Sequence, residues 1–351
     1  MSTPLREVIF AIPGDLDTPT GGYLYDRRVL ALLQEAGFPI RHLALPGGYP
    51  APSADDLAET ARLVAAMPAD AVLLIDGLAY GAMPEALIRG FGRAIVALVH
   101  HPLGLESGSS PERQAALIVS ETRALALARH VIVTSPLTAR VLASDFGVAP
   151  ERITVAEPGT EPAPRARGTG EPVQILAVGA VSPRKGYEVL VAALATLKDL
   201  PWQATIVGAL DRNPDAVAAL RHAIAGAGLA DRIALAGAVA EAAREEYYRR
   251  ADLFVSASLY EGYGMGLAEA MARGLPLVAS TGGAADETAS AGALKVPPGD
   301  VAALARALRQ AIADRELRAQ LAQDSWAAGQ RLPRWPDTSA RIAHALQQVS
   351  P

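Results

Sequence analysis

Two glutamates eight positions apart, Glu261 and Glu269, lie in a segment built around glycines: Ser258-Leu-Tyr-Glu-Gly-Tyr-Gly-Met-Gly-Leu-Ala-Glu-Ala-Met-Ala-Arg-Gly274-Leu-Pro276. Gly262, Gly264 and Gly266 permit a tight turn with close backbone approach. A helix is expected to start near Gly266 and to stop at Gly274. The unpaired amides of such a helix start suit a diphosphate. A carboxylate one turn in does not suit a phosphate, but it accepts hydrogen bonds from ribose hydroxyls, and this is the chemistry expected of Glu269. Glu261, on the turn, would address another part of the same ligand. Either glutamate alone would be explained by the preference of acids for a helix N-terminus. The pair framed by three glycines is harder to explain that way.

Three further sites follow strand ends. Arg184 and Lys185, in Val178-Gly-Ala-Val-Ser-Pro-Arg-Lys-Gly186, would neutralise charge developing on a leaving diphosphate. Two adjacent basic residues by themselves are more often a solvated face. Gly21 and Gly22 precede a helix and would let a phosphate or sugar approach the backbone. His100 and His101 end an apolar run and suit sugar hydroxyls or proton handling, against the alternative of a histidine satisfied beside Pro102. The remaining histidines, His42, His130, His222 and His344, are scattered and give no metal-ligand spacing.

The elements that must position these residues alternate. Short apolar runs are expected as strands at 8–12, 40–44, 71–75, 95–99, 131–134 and 153–156, and again at 175–178, 204–207, 233–236, 253–256 and 277–279. Runs this short and this apolar read as strands buried on both faces of a parallel sheet. Helical stretches separate them. One carries Tyr25, Val29, Leu32, Leu33 and Ala36 as an apolar stripe before Gly37, and another runs from Pro111 to Arg129. The fold class is therefore α/β with parallel sheets. The Pro- and Gly-rich stretch between the two series marks a boundary: an N-terminal Rossmann-like domain over 1–160, a linker over 161–172, a C-terminal Rossmann-like domain over 173–324, and a last segment, 325–351, expected to return to the first domain. In open α/β sheets ligands bind beyond the strand C-termini, so two such domains are expected to face a central cleft.

Composition narrows the function. The chain has 351 residues, half of them hydrophobic, with 32 basic and 37 acidic side chains and a net charge of −5. No basic block offers a nucleic-acid footprint. With no cysteine, thiolate metal sites, disulfides and cysteine nucleophiles are excluded. The first fifteen residues lack a signal-peptide pattern and no run is long enough to span a membrane, so a cytoplasmic location is expected.

Taken in order, these motifs resemble the retaining nucleotide-sugar glycosyltransferases of GT-B fold, family 4 or "group 1". Glu261 to Glu269 resembles the family's E-x7-E element. Gly21-Gly22, the stretches 128–135 and 146–159, Asp231–Gly237 and Pro298-Gly-Asp300 resemble further family segments, so the resemblance covers nearly the whole chain. It implies that Glu269 holds the donor ribose and Glu261 the transferred sugar's hydroxyls. Arg184 and Lys185 would bind the diphosphate with the amides of Gly264, Met265 and Gly266. His100, or His101 if the register slips by one, would lie near the sugar from the first-domain side, and Gly21 and Gly22 near donor phosphates or acceptor. The chain departs from the pattern in three places. Ala180 stands where the family often has Arg, leaving Arg184 as a substitute. Pro158-Gly159 replaces Asn-Gly, and Glu-Gly-Tyr-Gly replaces Glu-Pro-Phe-Gly. No Asp-x-Asp motif is present, in keeping with a reaction that requires no metal and no cofactor beyond the nucleoside diphosphate sugar donor.

The implied mechanism is same-face attack by an acceptor hydroxyl, with the diphosphate leaving. The Pro111–Arg129 helix sets Arg113, Arg123 and Arg129 against Glu112 and Glu121, which favours a small soluble acceptor over a membrane surface. Three other readings fit less well. A nucleotide-sugar epimerase would need its own acid and base set. A dehydrogenase would need Gly-x-Gly-x-x-Gly where Ala11-Ile-Pro-Gly14-Asp stands. A two-lobed periplasmic binding protein would need export.

Overall fold

The computed structural model describes residues 6–106 and 110–349. The start of the N-terminal segment read for a signal peptide lies outside them. The chain divides into two compact units, one made of residues up to Gly159 together with the segment from Pro333, the other of Thr160–Leu332.

The first unit holds six parallel strands: β1 (Val8–Pro13), β2 (Ile40–Leu45), β3 (Val72–Asp76), β4 (Ile95–Val99), β5 (His130–Val133) and β6 (Ile153–Val155). Their order is β2-β1-β3-β4-β5-β6. β1, β3, β4 and β5 are buried along their whole length, which is why their sequences are apolar without alternation. The Gly21–Glu35 helix buries Tyr25, Asp26, Val29, Leu30 and Leu33. Its buried stripe is therefore rotated from the expected one: Leu32 is half-buried, Ala36 is exposed, and an acid, Asp26, faces inward. The Pro111 helix ends at Leu127, two residues short of Arg129.

The last helix, Trp335–Val349, packs on the Gly21–Glu35 helix and on β5 and β6. Its anchor is Trp335, whose ring lies 5.8 Å from that of Tyr25. Gly159 allows this contact. A Cβ there would stand 2.2 Å from the Trp335 backbone nitrogen.

The second unit repeats the plan with β7 (Val173–Val178), β8 (Trp202–Val207), β9 (Ile233–Gly237), β10 (Leu253–Ser256), β11 (Leu277–Ser280) and β12 (Ala293–Val296), ordered β12-β11-β10-β7-β8-β9. The order in which the chain adds strands reverses between β7 and β10, and in open α/β sheets ligands bind beyond the strand C-termini at such a switch point. β12 was not expected. It is short and carries an exposed Lys295 between half-buried Ala293 and Leu294 and buried Val296, so no apolar run announces it.

Two boundaries differ from the sequence expectation. The Pro/Gly-rich segment after residue 160 is not a free linker but lies on the second unit. Ala166 N–H donates to Arg273 O, and the Asp252 carboxylate accepts from the amides of Thr169, Gly170 and Gln174. The helix that contains residue 325, Arg315–Gly329, also belongs to the second unit. The C-terminal segment joins the first unit only from Pro333.

Candidate functional site

In the second unit the sequence-predicted residues converge at the β7/β10 switch point. Arg184 and Lys185 form a short turn after β7, and Ser258–Glu261 follow β10. The two loops are tied by Leu259 N–H donating to Arg184 O (2.7 Å). Lys185 Nζ lies 2.6 Å from Glu261 Oε1, and Arg184 Nη1 lies 3.2 Å from Oε2 and 2.8 Å from Tyr260 O. Ser258 Oγ donates to the same Oε1 at 2.6 Å. Glu261 is buried. Burial alone would raise its pKa, but the charges of Lys185 and Arg184 outweigh it and hold the carboxyl down at about 2. The arrangement is an ion triad whose two cations are held by one desolvated carboxylate.

The helix after this turn runs from Met265 to Ala272. Gly264 precedes it at φ 99°, a left-handed conformation costly for any residue with a Cβ. Gly266 packs directly on the sheet, where a Cβ would meet the Phe254 ring at 3.3 Å. The first amides of the helix have no carbonyl one turn earlier to bond, which leaves them for a ligand. Glu269 sits in this helix with its side chain about one-fifth exposed. Its Oε2 accepts from the Tyr248 hydroxyl at 2.7 Å, and Arg244 Nη1 stands 3.8 Å from Oε1. Tyr248 is fully buried, with the Arg273 guanidinium 4.5 Å above its ring. Arg273 in turn donates to Glu269 O and binds Glu245. Tyr248 escaped the sequence reading because it lies in a helix that is otherwise polar, Glu241–Arg250. Being the one buried residue there is its only signal.

In the first unit, His100 follows β4. Its Nε2 lies 3.1 Å from Asp26 Oδ1 and 3.3 Å from Asp76 Oδ2. Both aspartates are buried. Tyr25 meets the imidazole edge-on, its ring centroid 5.2 Å away. Gly22 lies under the ring, where a Cβ would come within 3.3 Å of His100 Cδ2. Gly22 thus makes room for the histidine, a packing role the sequence did not suggest. Gly21 opens the helix behind Thr20, whose hydroxyl caps it. His101 is directed elsewhere: Nδ1 to Pro102 O and Nε2 to Glu106. Of the two histidines, His100 is the one in a buried, charged cluster.

Asp26, Asp76 and His100 are also the one group among the described residues whose ligand atoms lie close enough to hold a cation. Sequence spacing did not show it, since the three residues come from a helix, the end of β3 and the position after β4. The hydrogen bonds among them account for their convergence without an ion.

Residues 8–159 match the family model described as "Glycosyl transferase 4-like domain", and residues 162–325 match "Glycosyl transferases group 1". The chain belongs to the group 1 glycosyl transferases. Among curated relatives, a mannosylfructose-phosphate synthase of Agrobacterium fabrum is 31% identical over 171 residues, 44% of this chain and 38% of that protein. A D-inositol 3-phosphate glycosyltransferase of Paenarthrobacter aurescens is 31% identical over 205 residues, 54% of this chain and 50% of its own length. This glycosyl transferase chain thus spans half or less of those two relatives. Among solved structures, a sucrose-phosphate synthase from Thermosynechococcus elongatus superposes with a TM-score of 0.82 at 22% identity, covering 98% of this chain and 99% of that one. Anabaena Alr3699/HepE in complex with UDP-glucose gives 0.75 at 21%, covering 97% and 99%. These likenesses establish the GT-B fold, with its two six-stranded parallel sheets.

Proposed function

We propose that the chain is a retaining glycosyltransferase that moves a sugar from a nucleoside diphosphate sugar to a hydroxyl of a small soluble acceptor. The observation that carries the reading is the switch-point assembly in the second unit. Two cations, Arg184 and Lys185, follow β7, and across the same switch point a helix start with unbonded first amides carries a carboxylate, Glu269, one turn further on. That set matches a diphosphate followed by a ribose. The printed names of relatives and neighbours, two sugar-phosphate synthases, an inositol phosphate glycosyltransferase and a UDP-glucose complex, support the same reading.

In this reading Lys185 and Arg184 stabilise the negative charge that grows on the diphosphate as the anomeric C–O bond breaks, so the protein supplies the charge that a metal would otherwise provide. The acceptor oxygen bonds to the anomeric carbon on the face the diphosphate leaves, and its proton passes to a phosphate oxygen. Retention through a covalent intermediate would need a carboxylate free to attack. The buried acids of the first unit nearest a candidate site residue, Asp26 and Asp76, are both turned to His100 Nε2, which favours same-face attack. In this reading Glu261 is the sugar-binding residue of the second unit and His100 that of the first.

Calorimetric titration with UDP, GDP and ADP tests the reading, repeated on Glu269→Ala and Lys185→Ala. One nucleotide binding in the micromolar range, about −8 kcal/mol, and weakened by both changes is the expected result. A folded protein that binds none of the three would overturn it.

A further inference from the structure

A histidine beside a sugar can serve either as a base or as a donor, and its charge decides which. We propose that Asp26 and Asp76 are positioning residues that keep His100 doubly protonated, so that it presents Nδ1–H as a hydrogen-bond donor and never acts as the base. The functional part of this inference rests on the placement of His100 at the transferred sugar. The charge state does not.

The geometry leads to it in three steps. First, both carboxylates approach the same ring nitrogen, at 3.1 and 3.3 Å, so Nε2 must carry a proton. Second, Asp26 and Asp76 are 1% and 4% exposed, and buried carboxylates are tolerated only when paired with positive charge or protonated. Among the hydrogen bonds and ion pairs of these two aspartates, the imidazole is the only group able to become a cation. Asp76 spends its other oxygen on the amide of Leu78. Third, the ligand atoms of all three residues lie within 4.8 Å of one another, so the ring faces both acids at once.

The groups that bias the ring are Asp26 from the first helix and Asp76 from the end of β3, with Tyr25 packed edge-on. Burial pushes the His100 pKa down, and the two acids outweigh it, raising it to about 10. Burial likewise raises Asp26, to about 7, even though His100 pulls it down. With Nε2 committed, Nδ1 is the nitrogen left for a ligand, and the side chain is about one-quarter exposed. A doubly protonated ring has no lone pair to accept the acceptor's proton. His100 is thereby excluded as the base.

The test reads charge directly. In histidine-15N-labelled protein, the His100 ring signals are assigned by their loss in His100→Gln. Both nitrogens are expected at imidazolium positions at about pH 8, where an ordinary histidine is neutral. In Asp76→Asn, and in Asp26→Asn, the ring is expected to be neutral at the same pH. Either aspartate variant should lower kcat about tenfold, the loss of one charge-assisted hydrogen bond, with donor KM within about twofold. A neutral His100 in the wild-type chain overturns the inference. So does a ring that stays charged in both variants, or one equivalent of divalent metal that co-purifies with the wild type and is lost in Asp76→Asn. None of the spectra needs a substrate, so they stand even if the glycosyltransferase reading fails. If one aspartate variant does not fold, the wild-type spectrum and the other variant still decide.

Discussion

Lys185 Nζ and Glu261 Oε1 lie 2.6 Å apart, in the same place where Arg184 meets the other carboxylate oxygen. One carboxylate therefore faces both cations assigned to the diphosphate and offsets one of their two charges. A bound diphosphate competes with Glu261 for them. Glu261→Gln should then bind the nucleoside diphosphate as tightly as the wild type or several-fold tighter, while sugar transfer falls by about a hundredfold or more. Lys185→Ala should weaken nucleotide binding about tenfold to a hundredfold. Titration and initial rates on the two variants check the pair. Equal weakening of nucleotide binding in both would contradict the competition.

Tyr248 fixes one oxygen of Glu269 at 2.7 Å, while the other stands 3.8 Å from Arg244 Nη1. Tyr248→Phe removes that hydrogen bond without changing the packing of the ring beneath Arg273 or its stack on Phe254. Nucleoside diphosphate affinity should fall about three- to tenfold, in line with one hydrogen bond to a charged group. The loss should vanish when the 2′,3′-dideoxy nucleotide is used, because the hydroxyls that Glu269 would accept from are gone. A purely structural role would weaken both ligands alike.

The central strands were legible because parallel strands buried on both faces can only be apolar. The glutamate pair was legible because glycines on either side leave few explanations for it. The Asp26–Asp76–His100 cluster was not, yet its signals were present. Asp76 ends the apolar run Val72–Asp76 just as His100 follows Ile95–Val99, and the rule that selected the histidine would have selected the acid. Asp26 is three residues before Val29 and seven before Leu33, on the buried stripe of its helix. A lone acid on such a stripe asks for a partner from elsewhere in the fold, and only tertiary structure names it. The 160–172 stretch misled for the opposite reason. Its composition is that of a linker, but Asp252 gathers its amides, and nothing local announces that.

Gly159 and Trp335 form a second close relationship. A Cβ at 159 would sit 2.2 Å from the Trp335 nitrogen and 2.3 Å from its Cα, so the last helix would have to shift bodily. Gly159→Ala should cost about 3 kcal/mol in urea unfolding, at the upper end of overpacking. Thr338, whose hydroxyl donates to Glu157 O, offers the control. Thr338→Val should cost about 1 kcal/mol, one hydrogen bond, with no backbone movement. A Gly159→Ala midpoint equal to that of the wild type would mean the helix packs differently.

Glu121 makes stability depend on pH. It is buried in the Pro111–Leu127 helix and accepts from Leu103 N–H at 2.8 Å, bracing the loop that follows the two histidines. Burial raises its pKa to about 8, against the opposing pull of the Leu103 and Gly104 amides. In the unfolded chain the same group titrates near the ordinary glutamate value. Between these values the folded chain binds more protons than the unfolded one, so stability falls as pH rises through the window. The stabilising proton is fully held below the unfolded pKa and is lost above the folded one. Urea unfolding of wild type and Glu121→Gln at about pH 5 and about pH 9 isolates this contribution, because other titrating groups cancel in the difference. The wild type should lose about 2–4 kcal/mol more than the variant over that range. A parallel loss in the two proteins would show that Glu121 ionises as freely folded as unfolded.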